Sequence, residues 1–334
     1  MKTIFAKLVA KEDLSTQEMT EVAERLFSGQ LSDAQTTAFL LGLTEKGESF
    51  DEIASLIAVI RSYAKKVPGK FHDVMDNCGT GGDCSFSFNI STTTSFLLAA
   101  GGIKLAKHGN RSISSKSGSA DVLENLGIKI DASPEVIKKA LEEVGLAFLF
   151  AQSMHPVMRH VGPARQILGI PTIMNIIGPL NHPMDLDYQL MGLYREDLQE
   201  TCAKLLHHLG RKRAIIITGP DNMDEAALYG VNHYTLLDYG KITKGQFSYA
   251  DLGMKEIPLA AIKGGNAKEN ADILVSVLKN EPSPYRETTI VNAALGFFAA
   301  GKVATLQEGV NLARQVLASG KALDVLNKLK EVQV

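Results

Sequence analysis

Cysteine is scarce in this chain: three residues in 334, Cys78, Cys84 and Cys202. So odd and sparse a count excludes a disulfide framework and suits a reducing compartment. No C-x-x-C pair occurs, which argues against a structural zinc site. Long apolar runs are lacking too, and none approaches the ~20 residues that a membrane span requires. The opening MKTIFAKLVAKEDL is interrupted by Lys7, Lys11, Glu12 and Asp13 and has no small-residue cleavage site, so it does not read as a secretory signal. Net charge is small, −2, so no global basic field recruits nucleic acid or an anionic membrane. Internal repeats and low-complexity tracts are absent. The expectation is a cytoplasmic protein that handles small molecules.

What is present points to an enzyme of two domains, since 334 residues exceed what one core normally supports. Residues 1–70 read as a small helical domain. Capping boxes recur at Ser15-x-x-Glu18, Ser32-x-x-Gln35 and Ser49-x-x-Glu52, each ahead of helically spaced apolar residues, and Pro68-Gly69 closes the block. From Phe71 the grammar changes to short apolar strands (HDVMD, GIKLAKHG, IKID, LAFLFA, RAIIITG) alternating with helices that begin at Ser91, near Ser119, at Pro134 and around Glu196. This alternation predicts an α/β domain over 71–334 with a mostly parallel central sheet flanked by helices. The proline-punctuated stretch 156–185 reads as an insert that returns to the helical domain. Ligands in such folds sit at the carboxyl ends of strands.

Three segments should meet there. DNCGTGGDCSFSFNIST, residues 76–92, places Gly79, Gly81, Gly82 and Asp83 between a strand ending near Asn77 and a helix that Asn89 should cap. It is neither a Walker loop nor a G-x-G-x-x-G fingerprint. A glycine-rich turn alone is equally a tight strand-to-helix connection. The hydroxyl row Ser87, Ser91, Thr92, Thr93 and Thr94 points instead to phosphate and a hard cation. The second segment, 107–124, follows another strand and mixes Lys107, His108, Arg111 and Lys116 with Asn110 and many serines; it reads as a flexible lid over a polyanion. The third is the Asp224-Glu225 pair after AIIIT, suited to Mg²⁺ through oxygen ligands. Among the histidines, His155 and His160 do not share a helix face, and His207-His208 fit a helix end.

Taken together, CGTGGD (78–83), NIST (89–92), KHGNRS (107–112), GSADVLE (118–124) and Asp224-Glu225 closely resemble the anthranilate phosphoribosyltransferases, over nearly the whole chain. Two departures stand out: Cys84 where glycine is usual, and Ser87 where threonine is usual. The resemblance implies a helical domain joined to a nucleoside phosphorylase/phosphoribosyltransferase-class α/β domain, usually as a homodimer. It also implies transfer of a phosphoribosyl group from phosphoribosyl diphosphate to the amine of anthranilate, with Mg²⁺, two ions per subunit. Residue by residue, Gly79, Gly82, Asp83, Ser87, Asn89, Ile90, Ser91 and Thr92 would bind phosphoribosyl diphosphate. So would Lys107, His108, Gly109, Asn110, Arg111, Ser112, Ile113, Ser114, Ser115 and Ser119. Gly79, Asn110 and Arg165 would contact anthranilate, Ser91, Asp224 and Glu225 would hold metal, and Lys107 and Asp83 would be catalytic. A pyrimidine nucleoside phosphorylase shares this architecture, but KHGNRS with CGTGGD argues against it. Nucleic-acid-binding relatives would need a basic groove that the net charge denies.

Overall fold

The structure is a computed structural model that describes residues 1–112 and 116–333. The chain divides into two units, one formed by Met1–Lys66 and Gln152–Pro183, the other by Val67–Ala151 and the chain from Met184 onward. In the first unit the helices Lys2–Val9, Thr16–Phe27, Asp33–Lys46 and Phe50–Ser62 follow one another. All three capping boxes form, with Ser15, Ser32 and Ser49 each accepting the N–H three residues on. Each removes orphan donors from a helix start, worth about 1 kcal/mol. Met19, Val22 and Leu26 turn inward, as do Phe39, Leu40, Leu43, Leu56 and Ile60. One charge goes in with them. Glu52 is fully buried, accepting the N–H groups of Leu14 (2.9 Å) and Ser49 (2.8 Å) and pairing with Lys46 at 2.8 Å. The returning stretch adds a 3-10 turn at Pro156–His160 and short helices at Gly162–Leu168 and Ile173–Ile176.

The second unit is built on seven strands: β1 (Val74–Asp76), β2 (Lys104–Gly109), β3 (Leu146–Phe150), β4 (Tyr188–Gly192), β5 (Arg213–Thr218), β6 (Val231–Asp238) and β7 (Lys241–Ser248). Their order is β3-β2-β1-β4-β5-β6-β7. The pairs from β3 through β5 are parallel, and β5-β6-β7 are antiparallel. The chain steps outward from β1 to β3 and then restarts at β4 on the other side of β1. That reversal puts the topological switch point, where open α/β sheets bind ligands, at the carboxyl ends of β1 and β4.

Two sequence expectations need correction. IKID is not a strand: Ile128 and Ile130 are buried from a turn, and the Lys129 N–H donates to the Gln333 carbonyl rather than to a ladder. Two buried isoleucines one residue apart imitate a strand period at this length. Conversely β4 and the β6-β7 hairpin went unpredicted. β6 is only partly covered, so its pattern is a mixture, and β7 is largely exposed.

The outer edge of the sheet, β3, is closed by a side chain. The Gln333 amide donates to the carbonyls of Phe148 (3.0 Å) and Lys129 (3.1 Å), and its Oε1 accepts the Phe148 N–H (3.2 Å). The amide therefore imitates a neighbouring strand at one residue. Gln333→Ala leaves the buried Phe148 N–H without its acceptor. It should destabilise this unit by roughly 1–3 kcal/mol, read as a lower urea midpoint together with faster hydrogen exchange in β3.

Candidate active site

Glycine-rich backbone brings the loops at the switch point into contact. β1 ends at Asp76, and Gly79 then bridges Gly192 at the end of β4, with the Thr80 N–H on the Gly192 carbonyl at 3.0 Å. A Cβ on Gly192 would collide with the Asp224 carbonyl, and one on Gly79 with the Asp224 carboxylate. Gly81 and Gly82 both have positive φ, 67° and 82°, as a turn this tight demands. Cys84 (φ 56°) and Phe86 (φ 52°) share that region. Cys84 therefore carries a backbone cost of roughly 1–2 kcal/mol that glycine would not. The loop is steadied from outside: Phe88 N–H donates to Ile262 O (3.0 Å), Gly264 N–H to Phe86 O (2.9 Å), and Lys263 Nζ to Ser85 O (2.7 Å).

The helix after the loop is Ile90–Ala100, starting one residue before the expected Ser91. Asn89 occupies its N-cap position without capping it. Its amide donates to the Ser117 carbonyl (3.2 Å) and accepts from Asn270 (2.8 Å), so it holds two other segments instead. The hydroxyl row also divides. Thr92, Thr93 and Thr94 are buried, and Thr93 bonds back to the Asn89 carbonyl. Ser87 and Ser91 remain half-buried beside the loop, and Ile90 is buried.

Lys107 and His108 are not part of a lid. β2 runs through Gly109, and both side chains are buried, with Lys107 2% exposed. The Lys107 Nζ lies 3.3 Å from Ser91 Oγ and 3.4 Å from both the Asn77 carbonyl and Asn77 Oδ1. No carboxylate among the described residues comes within ion-pairing distance of it. Asp76, unnoticed in the sequence, ties the two strand ends together by accepting the Cys78 thiol (2.8 Å) and the His108 N–H (3.1 Å). Burial raises the Asp76 carboxyl and pushes the Cys78 thiol well up, while the Lys107 charge opposes both.

Beyond β2, the Asn110 carbonyl accepts from Ser119 Oγ (3.1 Å) and the Ala120 N–H (3.2 Å). A Cβ on Gly109 would strike Ser119 and the Phe148 ring. Arg111 is exposed and spends its guanidinium on Asp121 (2.6 Å) and Glu124 (2.9 Å). Asp121 also accepts the N–H groups of Ser112 and Gly118, drawing those two residues together. Ile113, Ser114 and Ser115 lie outside the described residues.

The acid pair completes the cluster. Asp224 Oδ2 accepts the Gly81 N–H at 2.6 Å, and Glu225 Oε1 accepts the Ser91 N–H at 3.1 Å. Asp83 takes the Ser85 N–H (3.1 Å) and the Asp224 N–H (3.4 Å). Burial and the Asp83 charge push the Asp224 carboxyl up to about 7. Burial and the Asp224 charge push Glu225 well above the usual range, against the pull of Lys107. Crowded carboxylates of this kind ionise readily only when positive charge joins them. Among the described residues no three His, Cys, Asp or Glu side chains form a cage able to hold a metal alone. The donor set therefore fits a hard cation that keeps water and substrate oxygens, as Mg²⁺ does. A cavity of about 390 Å³, lined in part by Gly82, Asp83, Tyr194, Asp221 and Asn222, opens beside this cluster. A larger cleft, about 660 Å³, lies at Arg213 and Phe298, where Arg213 is already bound by Asp238. It carries none of this chemistry.

Arg165 belongs to the other unit, on the Gly162–Leu168 helix. Its guanidinium is half-buried, burial lowers its pKa, and no carboxylate among the described residues pairs with it.

A helical bundle, an α/β unit and a phosphate-type cluster at the switch point define a glycosyl transferase of the pentosyl kind. Residues 2–64 match the helical bundle domain of the glycosyl transferase family and residues 72–323 its a/b domain. The chain belongs to this family and, within it, to the anthranilate phosphoribosyltransferases. It is 64% identical to the anthranilate phosphoribosyltransferase of Streptococcus mutans over the full length of both chains. The crystal structure of the Thermus thermophilus anthranilate phosphoribosyltransferase superposes with a TM-score of 0.92 at 37% identity, covering 99% of each chain. The Saccharomyces cerevisiae enzyme, in complex with phosphoribosyl diphosphate and Mg, gives 0.90 at 25% identity, covering 99% of this chain and 96% of that one.

Gly192 is a residue that sequence reasoning passed over, since one glycine closing a strand has no local signature. Gly192→Ala should force the Asp224 backbone away and cost about 1–3 kcal/mol, as overpacking does. Gly178→Ala, whose Cβ would meet nothing within 4 Å, is the control. Equal urea midpoints for the two variants would remove the close approach as a constraint.

Proposed function

We propose that this chain joins the amine nitrogen of anthranilate to the anomeric carbon of phosphoribosyl diphosphate and releases diphosphate, a step of tryptophan biosynthesis. The observation that carries this conclusion is Lys107. A buried ammonium without a carboxylate counter-ion, at the end of a parallel strand and beside the first turn of a helix, is built to meet an anion. The Gly81 and Ser91 N–H groups already donate to carboxylate oxygens, which is the chemistry of an anion site.

The C–N bond forms as the C–O bond to diphosphate breaks. The bonding pair leaves with the diphosphate oxygen, and the amine gives up its proton late to a carboxylate, for which anthranilate's own is available. No activated serine or cysteine is required, because the nucleophile is a neutral amine. Lys107 faces the charge that develops on the leaving group, and an ammonium fixed in a water-poor site stabilises it without reorganising. Gly79, Gly82, Ser87, Asn89, Ile90, Ser91 and Thr92 bind phosphoribosyl diphosphate, and so do Lys107, His108, Gly109, Asn110, Arg111, Ser112, Ile113, Ser114, Ser115 and Ser119. Asp83 lies toward the ribose. Gly79 and Asn110 contact anthranilate, whose carboxylate is taken by the Arg165 fork. The protein uses magnesium. Ser91, Asp224 and Glu225 would hold it, as two ions per subunit, and when bound it would supply neutralisation of the diphosphate charge.

The α/β unit binds phosphoribosyl diphosphate, and the helical unit supplies a homodimer contact. Exposed Val9, Leu41, Ile167 and Ile170 support the dimer, which sedimentation tests. The scarcity of cysteine supports a cytoplasmic location. No helix among the described residues is long and apolar enough to cross a membrane.

Anthranilate fluorescence followed with enzyme, phosphoribosyl diphosphate and Mg²⁺ tests the reaction: the signal should fall, and a constant signal overturns it. Lys107→Ala should lower turnover with phosphoribosyl diphosphate far more than it changes the KM for anthranilate; the reverse pattern would take the lysine away from the leaving group. Arg165→Ala should raise the KM for anthranilate by a loss on the order of 1.5–3 kcal/mol, as for hydrogen bonds to charged groups. The KM for phosphoribosyl diphosphate should hardly move, and Arg165→Lys should rescue only in part. An unchanged anthranilate KM would put the carboxylate elsewhere.

A further inference from the structure

The stretch that carries Asp224 and Glu225 has no regular structure of its own. Between the end of β5 and the start of β6 there is only a single 3-10 turn, and Asp221 and Asn222 within it have φ of 55° and 60°. Yet Ala226 and Ala227, immediately after the acid pair, are fully buried. Buried peptide groups outside helix and sheet must find partners elsewhere. Here each residue finds them in one asparagine side chain. Asn292, in the helix Pro284–Ala299, accepts the Ala226 N–H (3.0 Å) and donates to the Ala226 carbonyl (2.9 Å) and the Thr288 carbonyl (2.9 Å). Asn232, the second residue of β6, accepts the Ala227 N–H (2.8 Å) and donates to the Ala227 carbonyl (2.9 Å) and the Phe247 carbonyl (3.3 Å).

Both amides are 0% exposed, and both donors of each are engaged. Two consecutive residues are thus gripped from two directions, one by a helix and one by the sheet. On the other side of the pair, Asp224 is wedged by Gly79 and Gly192 and bonded to Gly81. The acid pair is the short free span between these anchors. Hydroxyl side chains in place of the asparagines could accept the N–H and donate to one carbonyl but not to two, because a hydroxyl has a single donor. The amide is what fixes the peptide plane.

We propose that Asn232 and Asn292 are positioning residues for the acid pair, setting the direction in which Asp224 and Glu225 present their oxygens to a divalent cation. This rests on the proposal that the pair holds Mg²⁺. Neither asparagine touches substrate or metal; both act through the backbone. Losing such outer partners typically lowers metal affinity 10–100-fold.

The test uses Mn²⁺, whose paramagnetic signal reports binding without turnover, titrated into enzyme with phosphoribosyl diphosphate. Asn232→Ala and Asn292→Ala should weaken Mn²⁺ binding by about 10–100-fold and speed hydrogen exchange of Ala226 and Ala227, while the KM for anthranilate stays within about twofold. Asp224→Asn with Glu225→Gln is the reference for the site itself. If that reference loses Mn²⁺ and the folded asparagine variants bind it as the wild type does, the positioning role is overturned and the metal site stands. If the reference binds Mn²⁺ normally, the metal site is wrong and the positioning role falls with it. Should the alanine variants fail to fold, wild-type hydrogen exchange decides. The Ala226 and Ala227 amides should be as protected as those of β5, and exchange at exposed-loop rates would overturn the grip.

Discussion

An uncompensated charge at the end of β2 is the constraint on which the larger unit depends. Lys107 is almost fully buried, yet its ammonium meets only neutral oxygens at 3.3–3.4 Å. Asp76 and Glu225 feel its charge through space without bonding to it. Burying an ion in this way is costly, and a protein selected only for stability would pair it or replace it. The neighbouring carboxyls carry the opposite strain, with Asp224 and Glu225 both pushed up by burial and by each other's neighbours. A buried ammonium and carboxyls that resist ionisation therefore lie close together without bonding to one another. An anion near the lysine with a cation near the acids relieves both strains at once. A salt bridge between them would relieve both as well, and would leave nothing for a ligand to do.

Holding these groups apart yet adjacent requires backbone to approach backbone. Gly79 and Gly192 make that approach possible at the reversal of strand order, where loops after β1 and β4 converge. The Asp224 stretch then fits against both, which is why a single methyl at either glycine has nowhere to go. The second segment is anchored differently. Asp76 binds Cys78 and His108, so the glycine loop is tied to the end of β2. Asn89 extends the same linkage to Ser117 and Asn270.

Local signals in the sequence were legible where the physics is local. Ser15, Ser32 and Ser49 cap as their spacing says, because a capping box is closed within four residues. The alternation of strands and helices announced a parallel sheet, and the glycine loop, the strand end at KHGNRS and Asp224-Glu225 do converge at its switch point. What escaped depends on residues far away in the chain. Asn89 has the chemistry of a cap, but Asn270 lies 181 residues on and claims its oxygen. Lys107 and His108 read both as the end of the strand GIKLAKHG and as the start of a lid, and pairing with β3 decides for the strand. IKID has a strand's alternation, but β3 is closed by Gln333 instead, and Lys129 bonds to that same residue. Cys84 stands where glycine is usual, and its positive φ shows what the glycine would have been for.

Lys107 and Arg165, one in each unit, have no carboxylate partner among the described residues, and they differ in kind. Lys107 presents a compact ammonium among hydroxyl and carbonyl oxygens, and Arg165 presents a planar fork. An ammonium is indifferent to the orientation of the oxygens it meets, which suits a diphosphate whose charge spreads and shifts as a bond breaks. A guanidinium rewards two coplanar oxygens at fixed spacing, which suits an aromatic carboxylate that must be aimed rather than stabilised. In the proposed reaction the first task is electrostatic and the second geometric. The choice of lysine for one and arginine for the other follows from that difference. Exchanging the two side chains would keep the net charge of the protein and lose both functions.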